Sequence, residues 1–389
     1  MSYVTFLWVT DKLQLSKECR QQEATKLGQV YRHQQKECCT TEEEVHKLKR
    51  LLKGACISPL DKNDGKLHVC CPMLYKMAMD KVFDREDLKS YEVIQIKNEQ
   101  EFLKAHKRGN ISNSYKTHGL HNTLEHQEKE LMSIWEWFYH HKKWGHITPF
   151  DDSGGIGDAY VLFKHKYWTE PEHPKCLKAR PVNPMHKHPM KRLFNSVGRA
   201  WMFTIRQWQE QHCILHTAQE VPEMIREAIE TIGSDKLEHR IWDIDSCYPS
   251  MPKADIIEAM GHILDNVRNR TRKCKRKFIL VPRCKNEKPS WGTSYTEDQK
   301  KTHIKINFQV MIDLIRFSMD NAICKLNGEC FIRQTTGIPQ GDSLSPAMCI
   351  GTCGWYEMKW MQKWSPVDKK LFQIRRYLDD VNMMFKTMG

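Results

Sequence analysis

Tyr377-Leu378-Asp379-Asp380 is the stretch of this 389-residue chain that decides its fold. The residues around the two acids are apolar, and adjacent carboxylates in such a setting are costly to bury unless a cation compensates them. The apolar, turn-interrupted pattern predicts a β-hairpin with both acids at its tip. Carboxylate oxygens are the ligands that hard cations such as Mg²⁺ prefer. An exposed Asp-Asp turn is the simpler interpretation of this motif alone, so other segments must decide.

Two upstream segments supply candidate partners for this hairpin. Trp242 to Pro252 begins within a strand predicted over 239–245, which delivers Asp243, and Tyr248 follows five residues later. Gly337 to Pro346 is a glycine-flanked turn that leads into a helix, so its backbone can approach a ligand closely. One carboxylate on a strand and two on a neighbouring hairpin can hold two Mg²⁺ ions about 3.5–4 Å apart. Such a pair stabilises the attacking and leaving oxygens of an in-line phosphoryl displacement.

The three segments resemble motifs A, B and C of reverse transcriptases, in the order that this family requires. Gly337-Ile338-Pro339-Gln340-Gly341-Asp342-Ser343-Leu344-Ser345-Pro346 is close to a family signature, whereas Tyr-x-Asp-Asp alone is a weak signal. Arg376 before the hairpin and Tyr248-Pro249-Ser250 after the first acid resemble Penelope-like, group II intron and non-LTR enzymes more than retroviral ones. The resemblance implies an α+β fold with right-hand polymerase fingers and palm, the antiparallel palm sheet being backed by helices.

The resemblance also implies a catalytic metal site. Asp243, Asp379 and Asp380 would be the catalytic metal ligands, and the backbone carbonyl of Ile244 would complete the coordination of one metal. The cofactor would be two Mg²⁺ ions, with Mn²⁺ as a substitute. Asp245 lies two residues after Asp243 and hence on the same face of the predicted strand, and a peripheral role is the favoured interpretation for it.

Nucleotide binding is implied for a second group of residues, which are Lys164, Arg180, Tyr248, Gln340 and Gly341. Tyr248 would exclude a 2′-hydroxyl and so select deoxynucleotides. Gln340 would contact the incoming nucleotide and the template, and Asp342 beside it is expected to cap the following helix. Arg180 would grip the triphosphate, with Lys164 or Lys166 as its partner. The alternatives are a core position for Tyr248 and an ordinary salt bridge for Arg180.

The charge of the chain favours a polyanionic partner. There are 61 Lys and Arg against 48 Asp and Glu, a formal net charge of +13. Between 268 and 288 the chain holds ten Lys or Arg and one Glu. The predicted nucleic-acid contacts are Arg272, Lys273, Lys275, Arg276 and Lys277. A solvated, partly mobile basic loop is the alternative interpretation of this segment. The partners implied are an RNA template, a DNA primer and dNTPs.

The cysteine pattern indicates free thiols. The chain has 15 cysteines, an odd number, with no Cys-x-x-Cys pair, which is typical of a reducing compartment. His165, His173 and Cys176 could meet in a hairpin, but the spacing supplies no standard zinc site. The amino terminus lacks a basic leader, and no stretch approaches the ~20 apolar residues of a membrane span. We therefore expect a soluble intracellular protein, in the nucleus or the cytoplasm, without a membrane partner.

Three domains are expected along the chain. Residues 1–150 form a helical extension of unknown role, 151–242 the fingers, and 243–389 the palm with a basic insertion at about 268–301. Complete reverse transcriptases continue beyond the Tyr-x-Asp-Asp hairpin into a thumb, so we expect an incomplete palm and no thumb. A catalytically silent nucleic-acid-binding fragment is therefore the main alternative to an active polymerase. A palm polymerase of another template class is the third hypothesis.

Periodicity and turn residues predict the individual elements. Helices are expected at 11–53, 73–108, 123–144, 190–209, 221–232, 305–322 and 345–360. Further strands are expected at 160–167 and 176–182, and a hairpin is expected to turn at Asn327-Gly328.

Overall fold

The computed structural model describes residues 41–59, 61, 67–83, 90–94, 124–164, 178–233, 237–273, 276–328 and 330–386. The helices in these ranges are α1 Glu42–Leu51, α2 Pro72–Phe83, α3 Leu124–His141, α4 Lys191–Gln207, α5 Val221–Ile232, α6 Cys247–Ser250, α7 Lys253–Lys273, α8 Glu297–Thr302, α9 Phe308–Asp320 and α10 Ser345–Met361. The strands are β1 Cys56–Pro59, β2 Leu67–Cys70, β3 Tyr91–Val93, β4 Tyr160–Phe163, β5 Ala179–Val182, β6 Leu237–Asp243, β7 Phe278–Pro282, β8 Ser290–Gly292, β9 His303–Ile306, β10 Ile323–Leu326, β11 Cys330–Gln334, β12 Phe372–Tyr377 and β13 Asp380–Lys386.

The chain divides into two compact units. The first unit contains the antiparallel pairs β1–β2 and β4–β5 together with α2, and the second contains the elements from β3 to α3 and from α4 onward. Within the first unit, the Ser58 hydroxyl donates a hydrogen bond of 2.8 Å to the carbonyl of Val161, which ties β1 to β4. Val161 and Phe163 of β4 are fully buried there.

The core of the second unit is helical, with α4 at its centre. Leu193, Val197, Trp201 and Ile205 recur every four residues and are fully buried, because this spacing places them on one helical face. The indole N–H of Trp201 donates to the carbonyl of Met311 on α9 at 3.2 Å, so its polar atom is satisfied inside the core. Each such large apolar side chain contributes roughly 1.5–3 kcal/mol through burial.

The sheet that carries the predicted acids has the antiparallel order β12-β13-β6. Helix α5 covers one face of it, where Met224, Ala228 and Ile232 form a buried cluster with Met384 of β13. The three α5 residues are spaced four apart, as a single helical face requires. Burial of Met384 under α5 therefore helps to fix the register of β13 in the sheet. The acids of the sheet lie at the end where β6 stops.

Several predicted elements are confirmed. The helices expected at 190–209, 221–232 and 345–360 are α4, α5 and α10. The hairpin at Asn327-Gly328 joins β10 to β11, and both residues have a positive φ, of 54° and 69°. Two consecutive positive φ values are the geometry for which Asn-Gly is favoured, because it matches the twist of the strands.

The helix predicted over 73–108 is confirmed as far as Phe83 and is wrong at Tyr91–Val93, while residues 84–89 and 95–108 lie outside the described residues. Helix α2 ends at Phe83, and Tyr91–Val93 forms strand β3, whose partner is β11. Tyr91 lies opposite Gln334 in this pair, more than 240 positions away in the sequence. The local helical pattern was overridden by this distant pairing, which satisfies the backbone hydrogen bonds of the segment.

The basic segment is also more regular than a loop. Helix α7 continues to Lys273, and the following residues build the antiparallel sheet β8-β7-β9 with α8 inserted before β9. Strand β7 is buried at all five positions. The helix predicted from 305 therefore begins at Phe308, because His303–Ile306 is the third strand of this sheet.

Within the described ranges, no helix combines the length and the apolar character that crossing a membrane requires.

Candidate active site

Asp243, Asp379 and Asp380 lie together at one end of the β12-β13-β6 sheet. Asp380 is the register partner of Asp243, and the N–H of Ile244 donates to the carbonyl of Asp379 at 3.0 Å. Carboxylate oxygens of the three acids all lie within 4.8 Å of one another. We call these residues the carboxylate cluster. Like charges at this range repel, so a cation between them relieves the repulsion, and the all-oxygen donor set fits Mg²⁺.

The tip of the hairpin is held in an unusual backbone conformation. Leu378 has φ +55°, a region that costs a residue with a side chain of order 1–3 kcal/mol unless its surroundings enforce it. The guanidinium of Arg376 supplies that support, because it donates to the carbonyl of Leu378 at 2.5 Å. It also donates to the carbonyl of Ile350 on α10 at 3.3 Å and forms an ion pair with Glu357.

Sequence reasoning gave Arg376 no structural role. It is 1% exposed, although it lies in a strand of a three-stranded sheet. Burial raises the pKa of its partner Glu357, and the charge of Arg376 opposes that rise. Arg376 directly follows Arg375 in the sequence, and nothing in this local pattern marks which of the two arginines is buried.

The segment after β6 is docked onto the Gly337–Pro346 turn by backbone hydrogen bonds. Ile338 N–H donates to the carbonyl of Tyr248 at 2.7 Å, and Gly337 N–H donates to that of Met251 at 3.1 Å. Gly337 has φ +75°, and a Cβ there would lie 2.5 Å from the Cα of Pro249. Only glycine therefore permits this approach. The three predicted motifs meet in one place.

Tyr248 is the second residue of α6. This helix begins directly after Ser246, which has φ +53°. Its ring is half-buried and packs against the core of the second unit. Burial raises the pKa of the phenol, and the negative charges of neighbouring groups, Asp379 included, add to the rise. The phenol is therefore neutral at physiological pH and close enough to the carboxylate cluster to feel its charge.

The Gln340–Asp342 turn is anchored at both ends. The carbonyl of Gln340 accepts from the N–H of Asn183 at 2.7 Å, and Gly341 has φ +114°. Asp342 is buried; one carboxylate oxygen accepts from Leu344 N–H at 2.9 Å and the other from the Ser318 hydroxyl. Burial raises the pKa of Asp342 to about 6. The helix-cap prediction for Asp342 is wrong, since Leu344 is the N-cap of α10.

Asp245 does not share a strand face with Asp243. Strand β6 ends at Asp243, and Asp245 is an exposed turn residue. Among the described side chains, the carboxylates that approach within 4.8 Å of one another include Asp243 but not Asp245. The strand prediction to 245 was too long by two residues, because the chain turns there toward α6.

The residues predicted to bind the triphosphate belong to the first unit. The Arg180 Nε lies 3.0 Å from an Asp61 carboxylate oxygen, so the salt bridge that was its alternative interpretation is formed. Lys164 directly follows β4, and its N–H donates to the carbonyl of Lys178 at 3.1 Å. The triphosphate contacts of both side chains stay predictions. Lys166, with the zinc alternative of His165, His173 and Cys176, lies outside the described residues.

The basic segment contributes exposed cations after α7. Arg276 and Lys277 are exposed, and the Arg276 guanidinium lies 5.7 Å from the ring centroid of Trp291. Arg272 and Lys273 are the last two residues of α7, and Lys275 lies outside the described residues. Nucleic-acid contact by this segment stays a prediction.

No protein-family model matches the chain, and no curated protein matches it. Among solved structures it is similar to telomerase from Candida albicans in complex with the TWJ fragment of telomeric RNA. That match has 13% identity and a TM-score of 0.51, and it covers 96% of this chain and 50% of the other. Apo telomerase from Candida tropicalis gives 11% identity and a TM-score of 0.47, covering 90% of this chain and 53% of the other.

The chain thus spans about half the length of these telomerase structures. The expected α+β class is confirmed by the mixture of helices and small antiparallel sheets. The similarity to the C. albicans structure concerns the fold, and it agrees with the motif order in the sequence. On these grounds, the protein has a reverse-transcriptase-like fold.

Proposed function

We propose that this protein is an RNA-directed DNA polymerase, which transfers a nucleotidyl group from a dNTP to a primer 3′-hydroxyl and releases pyrophosphate. The observation that carries the proposal is the carboxylate cluster at the end of the β12-β13-β6 sheet in a reverse-transcriptase-like fold. In this assignment, that sheet with α5 is the palm, and the β4–β5 pair belongs to the fingers. The proposal of a retroelement enzyme nearer the Penelope-like, group II intron and non-LTR types rests on Arg376 and Tyr248-Pro249-Ser250 alone.

Asp243, Asp379 and Asp380 would hold two Mg²⁺ ions, or Mn²⁺ in their place, with the carbonyl of Ile244 completing one site. When bound, the ions supply positive charge at the attacking and leaving oxygens. Asp243 and Asp380 are exposed, so a nucleotide and a primer end can reach them from solvent. Arg376 fixes the hairpin tip from the buried side, which keeps the Asp379 carboxylate in place.

Other residues would select and orient the substrates. Tyr248 would exclude the 2′-hydroxyl of a ribonucleotide by steric clash. Gln340 and Gly341 would contact the incoming nucleotide and the template, since Gly341 is exposed and has no side chain to keep a ligand from its backbone. The net charge of +13 favours an RNA template and a DNA primer as partners.

The direct test is primer extension on an RNA template with dNTPs and Mg²⁺. Asp379→Asn removes one negative charge from the carboxylate cluster at nearly constant volume. We expect the extension rate to fall by about 10³-fold or more, because several kcal/mol of charge stabilisation are lost and each 1.36 kcal/mol is a factor of ten. The matched control is Asp298→Asn, an exposed aspartate on α8, which should leave the rate unchanged.

Two outcomes would count against the proposal. Equal extension by wild type and Asp379→Asn would refute the metal assignment. Tight, salt-sensitive RNA binding by the wild type, without nucleotide incorporation even at high protein concentration, would favour the catalytically silent alternative.

Sugar selection separates a DNA polymerase from a polymerase of another class. Tyr248→Ala should admit ribonucleotides and lower the preference for dNTPs over rNTPs by at least about tenfold, the scale of one steric contact. Tyr295→Ala, a tyrosine whose hydroxyl bonds to His303 in the β8-β7-β9 sheet, is the control. Sugar selectivity that is the same in both variants would refute the assignment of Tyr248.

A further inference from the structure

Three buried thiols lie together beside the carboxylate cluster. The Sγ of Cys247 is 3.5 Å from that of Cys349 and 3.8 Å from that of Cys353, and the three sulfurs all lie within 4.8 Å of one another. Cys349 and Cys353 are one turn apart on α10, and Cys247 is the first residue of α6. We call these three residues the cysteine cluster, and we propose that it binds one Zn²⁺ ion through three thiolates.

The spacing of the sulfurs matches a tetrahedral zinc site. A Zn–S bond of about 2.3 Å places two tetrahedral sulfur ligands about 3.8 Å apart. The sulfur separations of 3.5 and 3.8 Å require almost no movement to reach that value. Sulfur ligands select a soft or borderline ion such as Zn²⁺ over Mg²⁺, which requires oxygen. The site is therefore distinct in chemistry from the carboxylate cluster.

A cavity beside the cysteine cluster gives an ion access and leaves room for a fourth ligand. It has a volume of about 450 Å³ and is lined by Cys247 and Cys353, and also by Cys213, Ile244 and Glu357. Sites with three protein ligands commonly complete the tetrahedron with water, and this cavity has room for it. The cysteine cluster therefore has three protein ligands and one open position.

One cation and two carboxylates lie near the cysteine cluster. Zn²⁺ and three thiolates sum to one negative charge, and three thiol protons are released to solvent as the Zn–S bonds form. Arg376 is the nearby cation, and its guanidinium bonds to the carbonyl of Ile350, the residue after Cys349. Glu357 and Asp379 are the carboxylates near the cluster, and Glu357 is already paired with Arg376.

The bound ion would join two segments that are far apart in the chain. It would link α6, which carries Tyr248, to α10 across 102 residues of sequence. This site does not depend on the proposed polymerase activity, since its ligands, ion and cavity are all identified without it.

The test is the zinc content of the full chain, purified under reducing conditions with Zn²⁺ supplied and no chelator present. We expect about one Zn²⁺ per chain in the wild type and at least about a fivefold loss in Cys349→Ser and Cys247→Ser. Cys324→Ser is the matched control, since Cys324 is equally buried but lies on β10. Co²⁺ loaded in place of Zn²⁺ should show thiolate-to-cobalt absorption in the wild type and the control only.

A measurement on the wild type guards against serine variants that fail to fold. Alkylation of the three cysteines, followed by mass spectrometry, should rise severalfold when a chelator selective for soft metals is added, while alkylation of Cys324 stays constant. Equal zinc content in Cys349→Ser and Cys324→Ser would overturn the proposal. So would alkylation that the chelator does not change, or a disulfide between any two of the three cysteines.

Discussion

The carboxylate cluster and the cysteine cluster are two sets of three potential metal ligands that differ in exposure. Asp243 and Asp380 are exposed, whereas Cys349 is fully buried and Cys247 and Cys353 are 6% exposed. Ionised carboxylates need water or a cation, so they lie at the end of a sheet where solvent reaches them. Neutral thiols behave as small apolar groups and can fill a helical interface. The exposed set is open to a substrate, and the buried set suits an ion that joins α6 to α10.

Arg376 connects the two clusters. It contacts the turn that carries Asp379 through Leu378, and it contacts the helix that carries Cys349 through Ile350. A single buried cation therefore supports the geometry of both clusters. Substitutions of Arg376 and of the residues around it test how far each cluster depends on this cation.

Arg376→Met is expected to have the largest effect on stability. The variant leaves Glu357 buried and without its cation, which costs about 3–5 kcal/mol in the free energy of unfolding. Urea unfolding of the purified chain measures this. Arg375→Met is the matched control, since Arg375 is partly exposed and its pair with Glu227 at 3.5 Å contributes less than about 1 kcal/mol.

Adding Glu357→Gln to Arg376→Met should restore part of the lost stability, because the uncompensated charge is then removed. Equal destabilisation by Arg375→Met and Arg376→Met would show that burial of the ion pair does not matter.

Gly337→Ala tests whether the contact between the Gly337 turn and the segment after β6 determines the positions of Tyr248 and Cys247. The new Cβ would meet the Pro249 backbone at 2.5 Å in a residue with φ +75°, so we expect a loss of about 3 kcal/mol from strain and overpacking together. The control is Gly261→Ala on α7, where no atom lies within 4 Å of the new Cβ. That change should stabilise the helix by up to about 1 kcal/mol. A loss of the same size in both would contradict the packing explanation.

Asp342 is a buried carboxylate, in contrast to the exposed Asp243 and Asp380 at the end of the sheet. Its pKa is raised to about 6 in the folded chain, from 3.8, so the folded state binds the proton more tightly than the unfolded state. The stability that this protonation contributes is fully present below pH 3.8 and is lost as the pH rises through 6. Between pH 4 and pH 6 the free energy of unfolding should fall by about 2 kcal/mol on this account.

The measurement is the difference in unfolding free energy between wild type and Asp342→Asn across that pH range, which cancels groups common to both. A difference that does not change with pH would contradict the raised pKa of Asp342.

Much of the candidate site could be predicted from the sequence, because its motifs are short and local. Gly337–Pro346 and Tyr377–Asp380 contain the turn residues that their backbone needs, and Asp243 is the last residue of a recognisable strand. Asp245 was misplaced, since the sequence does not mark where β6 ends. The partners of Arg376 and Arg180, which are Glu357 and Asp61, could not be identified, because local patterns do not show which acidic residue tertiary folding brings to each arginine.

The sequence by itself determined the order of the three motifs, the helices α4, α5 and α10, and the Asn327-Gly328 hairpin. Each depends on periodicity or turn chemistry within a few residues. Only the tertiary structure decided that Tyr91–Val93 is a strand and that Cys247 meets Cys349 and Cys353. Both depend on contacts between residues more than 100 positions apart, which long-range packing creates and local patterns do not encode.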